Sequence, residues 1–315
     1  MDAGPIEVDG GMVGDAGPAP AAASGRVSCW GNGQSPLRPT DGMRSASQIT
    51  LGAARCFIDD GELLCLGQND DGELGDGTTE DRERAVGLPT LRRAEFVQTS
   101  RFGDQHFTCA IAEGDVWCWG AGDRGQLGDR TTDTRSTPAR VRGISAATAL
   151  TLGAEHACVL EGGQPFCWGA GTLGQLGNDM LFDQDAPVPV ELTDVVAIAA
   201  GGYHTCAVTS DGTVHCWGDS SQGQLGVAIP GDDGFSTPIP IFGLADAASV
   251  AAAAAHPWAP PATPMFCRGA NYAALTGASG VDCPPPPLPS SPSRLPRAYT
   301  RPHSSHSCPP CARVQ

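Results

Sequence analysis

Apolar residues along this chain fall in short β-rich runs separated by glycine- and aspartate-containing turns. The clearest instance is 206–226, CAVTSDGTVHCWGDSSQGQLG, where runs over 205–209 and 213–217 flank Ser210-Asp211-Gly212. Glycine tolerates the positive φ that a tight turn requires, so this stretch predicts a β-hairpin followed by a glycine-rich loop. Near-copies start at Cys158 (CVLEGGQPFCWGAGTLGQLG), Cys109 (CAIAEGDVWCWGAGDRGQLG) and, more worn, Cys56 (CFIDDGELLCLGQNDDGELG). Half a copy opens the series at Arg26, and a degenerate one follows Met265.

The second cysteine of each unit stands at 29, 65, 118, 167, 216 and 267, in steps of 36, 53, 49, 49 and 51. A period near fifty with several short strands per unit points to a propeller or a β-array. Between hairpins come a run after a proline (137–141, 186–190, 237–241) and then an apolar run (149–152, 195–200) that enters the next Gly-x-x-His. That makes four strands per unit, with proline at the start of the outermost one, where a ladder donor is dispensable. The alanine run 247–255 suits a helix by propensity, but its register against 195–201 predicts a strand. The expected fold is all-β, a β-propeller of four-stranded blades with five to six visible units and an incomplete ring. The last unit decays: Trp258 stands where a cysteine is due, and Pro260, Pro261 and Pro264 replace a strand and a turn.

Ten of the 13 cysteines lie in repeats. A two-residue turn at Asp60-Gly61, Glu113-Gly114 or Gly162-Gly163 sets Cys56 opposite Cys65, Cys109 opposite Cys118 and Cys158 opposite Cys167. The fourth hairpin is one residue longer, and its three-residue turn restores the opposition of Cys206 and Cys216. Counting from the turn, each pair is a non-hydrogen-bonded one with Cα atoms about 4.5 Å apart, which a disulfide can bridge. Free core cysteines are the blander alternative. Zinc is disfavoured, because one hairpin offers two ligands rather than four. Cys29, Cys267, Cys283, Cys308 and Cys311 have no partner in this scheme.

Composition narrows the class. Forty-two glycines, 27 prolines and 17% charged residues suit a turn-rich chain of 315 residues, read as one repeat domain. A net charge of −16 disfavours nucleic acid. Lysine is absent, which removes amine-nucleophile mechanisms. Disulfides imply an oxidising compartment, so an extracytoplasmic protein is expected, with a cytoplasmic one as alternative. Residues 1–25 show no signal peptide and read as a disordered acidic Gly/Pro/Ala spacer, with a signal segment expected upstream. The repeats span 26–283, and 284–315, rich in Pro and Ser with Arg but no acid, reads as a disordered tail that docks on nothing.

Three kinds of residue recur without an obvious chemistry. His106, His156, His204 and His256 follow at steps of 50, 48 and 52, as a ring around a propeller axis would require, and are expected to serve each blade's own hydrogen bonds. Trp30, Trp119, Trp168 and Trp217 follow the second cysteines and are expected to pack between blades. Gly125 and Gly128, Gly174 and Gly177, and Gly223 and Gly226 frame Gly-Gln-Leu-Gly, which lacks the setting of a phosphate loop and reads as a structural loop. Residues 69–76, NDDGELGD, hint at calcium, but their acids do not follow the liganding order. No catalytic triad stands out, and no catalytic residue, metal or cofactor is expected.

Gly-x-x-His-x-Cys-Ala-Val, Asp-Gly-x-Val-x-Cys-Trp-Gly and Gly-Gln-Leu-Gly, in that order over roughly 26–277, resemble the regulator of chromosome condensation repeat family. The resemblance implies a β-propeller, usually of seven four-stranded blades. Members include a chromatin-bound exchange factor for the small GTPase Ran, and a secreted bacterial β-lactamase inhibitor is built on a similar propeller. The paired cysteines look like the version found in exported bacterial proteins. The motif carries the scaffold and none of the Ran-contacting loops. The expected function is therefore a non-enzymatic, exported, monomeric scaffold without a membrane span, binding a protein or surface polymer through loops on one face. A guanine-nucleotide exchange factor and a secreted enzyme inhibitor are the alternatives.

Overall fold

In a computed structural model of the protein, residues 6–8, 27–29 and 46–252 are described, apart from 53, 102, 222–223, 226–233 and 242–245. Each hairpin starts from its turn. Asp60-Gly61 has φ of 52° and 76°, Glu113-Gly114 54° and 80°, and Gly162-Gly163 60° and 80°. Two successive positive φ values give the turn whose twist matches that of the flanking strands. Around these turns fold the hairpins Ala54–Asp59 (β4) with Glu62–Gly67 (β5), Phe107–Ala112 (β8) with Asp115–Gly120 (β9), and His156–Glu161 (β12) with Gln164–Gly169 (β13). The fourth, His204–Thr209 (β16) with Val214–Asp219 (β17), turns through the extra residue, with Gly212 at φ 80°.

An apolar strand precedes each hairpin: Ala46–Leu51 (β3), Ala94–Thr99 (β7), Ala147–Leu152 (β11) and Val195–Ala200 (β15). A partly exposed one follows it: Arg82–Arg92 (β6), Arg135–Arg140 (β10), Gln184–Pro189 (β14) and Gly234–Pro240 (β18). The result is four antiparallel sheets, β3 to β6, β7 to β10, β11 to β14 and β15 to β18, each in sequence order. These are propeller blades, with their first strands against one another on the inside. The described residues contain no helix, and their ring is not closed.

Three local readings need correction. The prolines of the outer strands do not start them. Pro138 and Pro238 lie inside β10 and β18, and Pro187 inside β14, each within the interval where the ladder slips register. A bulge leaves residues without ladder partners, so it accommodates a residue that has no N–H. The strand expected over 247–255 is absent from its described part, 247–252. The chain still leaves the fourth blade as it left the others, Ala247 N–H donating to the Gly212 carbonyl, but no hairpin of a fifth blade lies beside it among the described residues. Finally, Val27–Cys29 (β2) is not half an antiparallel hairpin. It pairs in parallel with Ile6–Val8 (β1), the one β-branched patch in the stretch read as a spacer. Cys267, His256, Trp258 and the tail 284–315 lie outside the described residues.

The core is a series of layers between blades. One layer joins first-blade residues such as Ile58, Leu63 and Leu74 to Trp119 of the second blade; the next joins Ile111, Val116 and Leu127 to Trp168, and the third joins Leu160, Leu176 and Val190 to Trp217. All three indoles are fully buried. The first three cystines lie in these layers and the fourth in a further cluster with Val208 and Leu225: Cys56–Cys65, Cys109–Cys118, Cys158–Cys167 and Cys206–Cys216 are bonded with Cα atoms 4.1 Å apart. Each closes a loop of about ten residues and adds about 2.5 kcal/mol in the chain-entropy treatment. Thiol labelling of denatured, unreduced protein should therefore reach at most five of the 13 cysteines. Labelling of eight or more would contradict the pairing.

Candidate functional site

The meander makes the two faces of the array unequal. On one face lie the hairpin turns and the links into the next blade, and these are tied together. Ala94, Ala147, Val195 and Ala247 each donate a backbone N–H to the turn carbonyl of the preceding blade, at Gly61, Gly114, Gly163 and Gly212. On the other face lie the loops from first to second strand and the longer ones from third to fourth. Their roots are fixed and their tips project.

The fixed root is the Gly-Gln-Leu-Gly segment. Gly125 and Gly128 have φ of 76° and 65°, Gly174 and Gly177 80° and 69°. The second glycine of each pair faces an indole: a Cβ on Gly128 would come 2.8 Å from Trp168 Nε1, and one on Gly177 2.7 Å from Trp217 Nε1. In that space the indole N–H of Trp168 donates to the Gln126 carbonyl at 2.9 Å, and Trp217 to Gln175 at 2.9 Å. Trp119 does the same to Glu73 at 2.8 Å, beside Gly75. The loop of one blade is thus clasped by the tryptophan of the next. Gly223, Gly226 and Trp30 lie outside the described residues.

Histidine behaves differently from its spacing. Counting from the cystine, the residue opposite the glycine two places after the second cysteine is Ala54, Phe107, His156 and His204 in the four blades. His106 is one residue out of register, so His106, His156 and His204 are not equivalent and form no ring. The glycine of Gly-x-x-His explains the true pair, since a Cβ on Gly153 or Gly201 would collide with the ring of His156 or His204. His156 Nε2 lies 3.0 Å from Thr205 Oγ1 of the next blade. Burial, assisted by His204, pushes His156 down to about 3, and burial pushes His204 down to about 4. Both are neutral, buried packing groups at physiological pH.

The loop tips carry repeated polar clasps. Asp76 accepts from Thr78 N–H and Oγ1 and from Arg82 Nε at 2.7 Å, and Asp129 accepts in the same way from Thr131 and Arg135. Those bonds with Thr78 and Arg82 hold the Asp76 carboxyl low against its partial burial. Asp71 accepts from the His106 N–H of the next blade and Glu73 from the Asp71 N–H, so both hold structure. Among the described residues no three His, Cys, Asp or Glu are grouped to hold a metal.

Around Arg124 the same face is acidic. Arg124 bonds Asp183 at 3.2 Å and lies 3.9 Å from Glu155, with Asp104 and Asp123 close enough to act on Glu155. Burial, with Asp123, Asp183 and Asp104 and against Arg124, raises the Glu155 carboxyl above its usual range. Tyr203 is raised by burial and by the nearby Glu155 and Asp104. Beside this cluster the third-blade loop exposes Leu173, Met180, Leu181 and Phe182. Reading for the repeat overlooked these four. Laying the loops over one another reveals them, because Met180-Leu181-Phe182 stands where the earlier blades have Thr78-Thr79-Glu80 and Thr131-Thr132-Asp133.

The Regulator of chromosome condensation (RCC1) repeat pattern matches residues 113–160 and 162–208, and a second pattern of the same description matches 195–224. Within 113–224 the chain matches regulator of chromosome condensation repeats. The human E3 ubiquitin-protein ligase HERC2 is 33% identical over 98 residues, 30% of this chain and 2% of that protein. The Drosophila melanogaster Regulator of chromosome condensation is 33% identical over 128 residues, 38% of this chain and 22% of that one. The chain therefore spans a small part of these relatives. Among solved structures, human WBSCR16 superposes with a TM-score of 0.54 at 24% identity over 62% of this chain and 53% of that one. Prp20p from Saccharomyces cerevisiae, described with its binding to Gsp1p and histones, gives 0.55 at 18% over 64% and 52%. These likenesses establish the propeller fold.

One repeat position tests the root geometry. Where later blades have Gln126 and Gln175, the first has Glu73, fully buried, with Oε1 unpartnered and its carboxyl raised by burial. A raised folded-state value means the ionised carboxylate costs stability above the unfolded value near 4.5, and the cost vanishes as both states become protonated. Glu73→Gln should raise stability by about 1 kcal/mol at pH 7, measured by urea unfolding, with the gain gone by about pH 4.

Proposed function

We propose that the protein is a non-enzymatic, exported propeller scaffold that binds a protein or surface polymer through its long-loop face. The observation that carries the reading is the inequality of the faces. Turns on one face are two or three residues long and tied to the next blade, while the opposite loops have clasped roots and tips that differ from blade to blade. A constant frame with variable tips suits recognition. Four cystines in consecutive blades support an oxidising, extracytoplasmic setting. That Prp20p, of the same fold, is described as binding Gsp1p and histones supports partner binding as a use of such a frame. The acidic balance of this chain argues against a chromatin partner.

Photo-crosslinking distinguishes the faces. A benzophenone amino acid at Thr132, on a long-loop tip, should yield discrete adducts in the envelope fraction of the native host, and one at Glu113, on a turn, should not. Adducts from neither site, or equally from both, would overturn the reading. So would acceleration of nucleotide release from a Ran-type GTPase by micromolar protein, which would mark an exchange factor.

A further inference from the structure

Five large apolar side chains are exposed among the described residues, and four of them sit in the loop between β13 and β14: Leu173 at 39%, Met180 at 46%, Leu181 at 62% and Phe182 at 56%. Two segments bring them together. Gly171 lies so close to the Phe182 carbonyl that a Cβ there would collide with it, and the Gly171 N–H donates to Asp183 Oδ1 at 3.0 Å. The patch is thus held on a fixed root.

Nothing in the loop's own structure calls for these residues. In the two preceding blades the equivalent of Met180 is a threonine that bonds the loop aspartate, and an arginine completes the clasp. In the third blade those partners are Asn178 and Gln184, and Asn178 keeps only the bond from the backbone N–H, that of Met180. The side chains of 180–182 are released from structural work and face solvent. At 173 the preceding blades carry Asp71 and Arg124, both charged.

Asp183 follows Phe182 directly and joins the cluster of Asp104, Asp123, Glu155 and Arg124. An apolar patch beside a cluster of four carboxylates complements an apolar side chain flanked by cations. We propose that Leu173, Met180, Leu181 and Phe182 form the binding hot spot of this protein, taking a protein segment in which leucine- or phenylalanine-like residues are bracketed by arginine or lysine. The net charge of −16 disfavours a second copy of this chain as occupant, and an anionic membrane likewise. This inference rests on the long-loop face being the partner-binding face.

The test uses a fluorescein-labelled peptide, Gly-Arg-Arg-Leu-Phe-Leu-Arg-Arg-Gly, and the full chain. Fluorescence polarisation should show micromolar binding, weakened several-fold by about 0.5 M salt and lost when aspartate replaces arginine in the peptide. The variant Met180→Thr, Leu181→Thr, Phe182→Asp places the second blade's Thr131-Thr132-Asp133 at these three positions and should keep the fold, checked by circular dichroism and thiol count. It should bind the peptide at least tenfold more weakly. Undiminished binding by this variant, or none by the unaltered chain, would overturn the assignment. So would a concentration-dependent dimer, or binding to phosphatidylcholine vesicles, that the same variant abolishes. If the patch fails while Thr132 still cross-links, the scaffold reading survives; if Thr132 cross-links nothing, both fall.

Discussion

The array depends on one repeated contact, the indole N–H of each blade's tryptophan donating to a loop carbonyl of the blade before it. Inside a water-excluded layer that donor has no other partner, and leaving it unmade would cost more than the bond itself contributes. The contact forms only where the chain comes close enough, and it comes close because a glycine with positive φ stands over the indole. Tryptophan, glycine and carbonyl are therefore a single device spread over two blades. The cystine braces the strand that carries the tryptophan, so covalent and noncovalent constraints act at neighbouring residues.

From this contact follows the division of labour between the faces. The clasped root leaves the loop tip to be specified independently. In the first two blades an aspartate, a threonine and an arginine close the tip on itself. In the third, the closing residues are exchanged for amides and the tip turns apolar. The same backbone thus supports either a self-satisfied loop or one with side chains available to a partner, without disturbing the layer beneath.

Much of this is legible in the sequence, for identifiable reasons. The hairpin register can be read because a turn of known length fixes every pair outward from it, and the pairing of Cys56 with Cys65 follows by counting. The histidines mislead for the complementary reason: their spacing counts residues along the chain, whereas position in a blade is set by the ladder, and one added residue before Cys109 puts Phe107 where His156 stands. Outer-strand prolines are misplaced because a bulge, invisible in composition, accepts them inside a strand. The apolar tip at 180–182 stays hidden from a search for recurrence because it is a departure from the repeat. The family likeness, over the residues it covers, names the frame and is silent on that tip.

The claim that adjacent blades share one clasp is tested most directly by hydrogen exchange on two alanine variants. Gly128 and Gly143 both have positive φ, but a Cβ on Gly128 would meet the Trp168 ring, while one on Gly143 would meet nothing within 4 Å. Both variants put an alanine at a positive φ, at a cost of roughly 1–2 kcal/mol. Gly128→Ala should strip amide protection from β12 and β13 of the following blade as well as from its own loop, and Gly143→Ala should leave β12 and β13 protected. Loss confined to 121–134 in Gly128→Ala, or equal loss in β12 and β13 for both variants, would contradict the account.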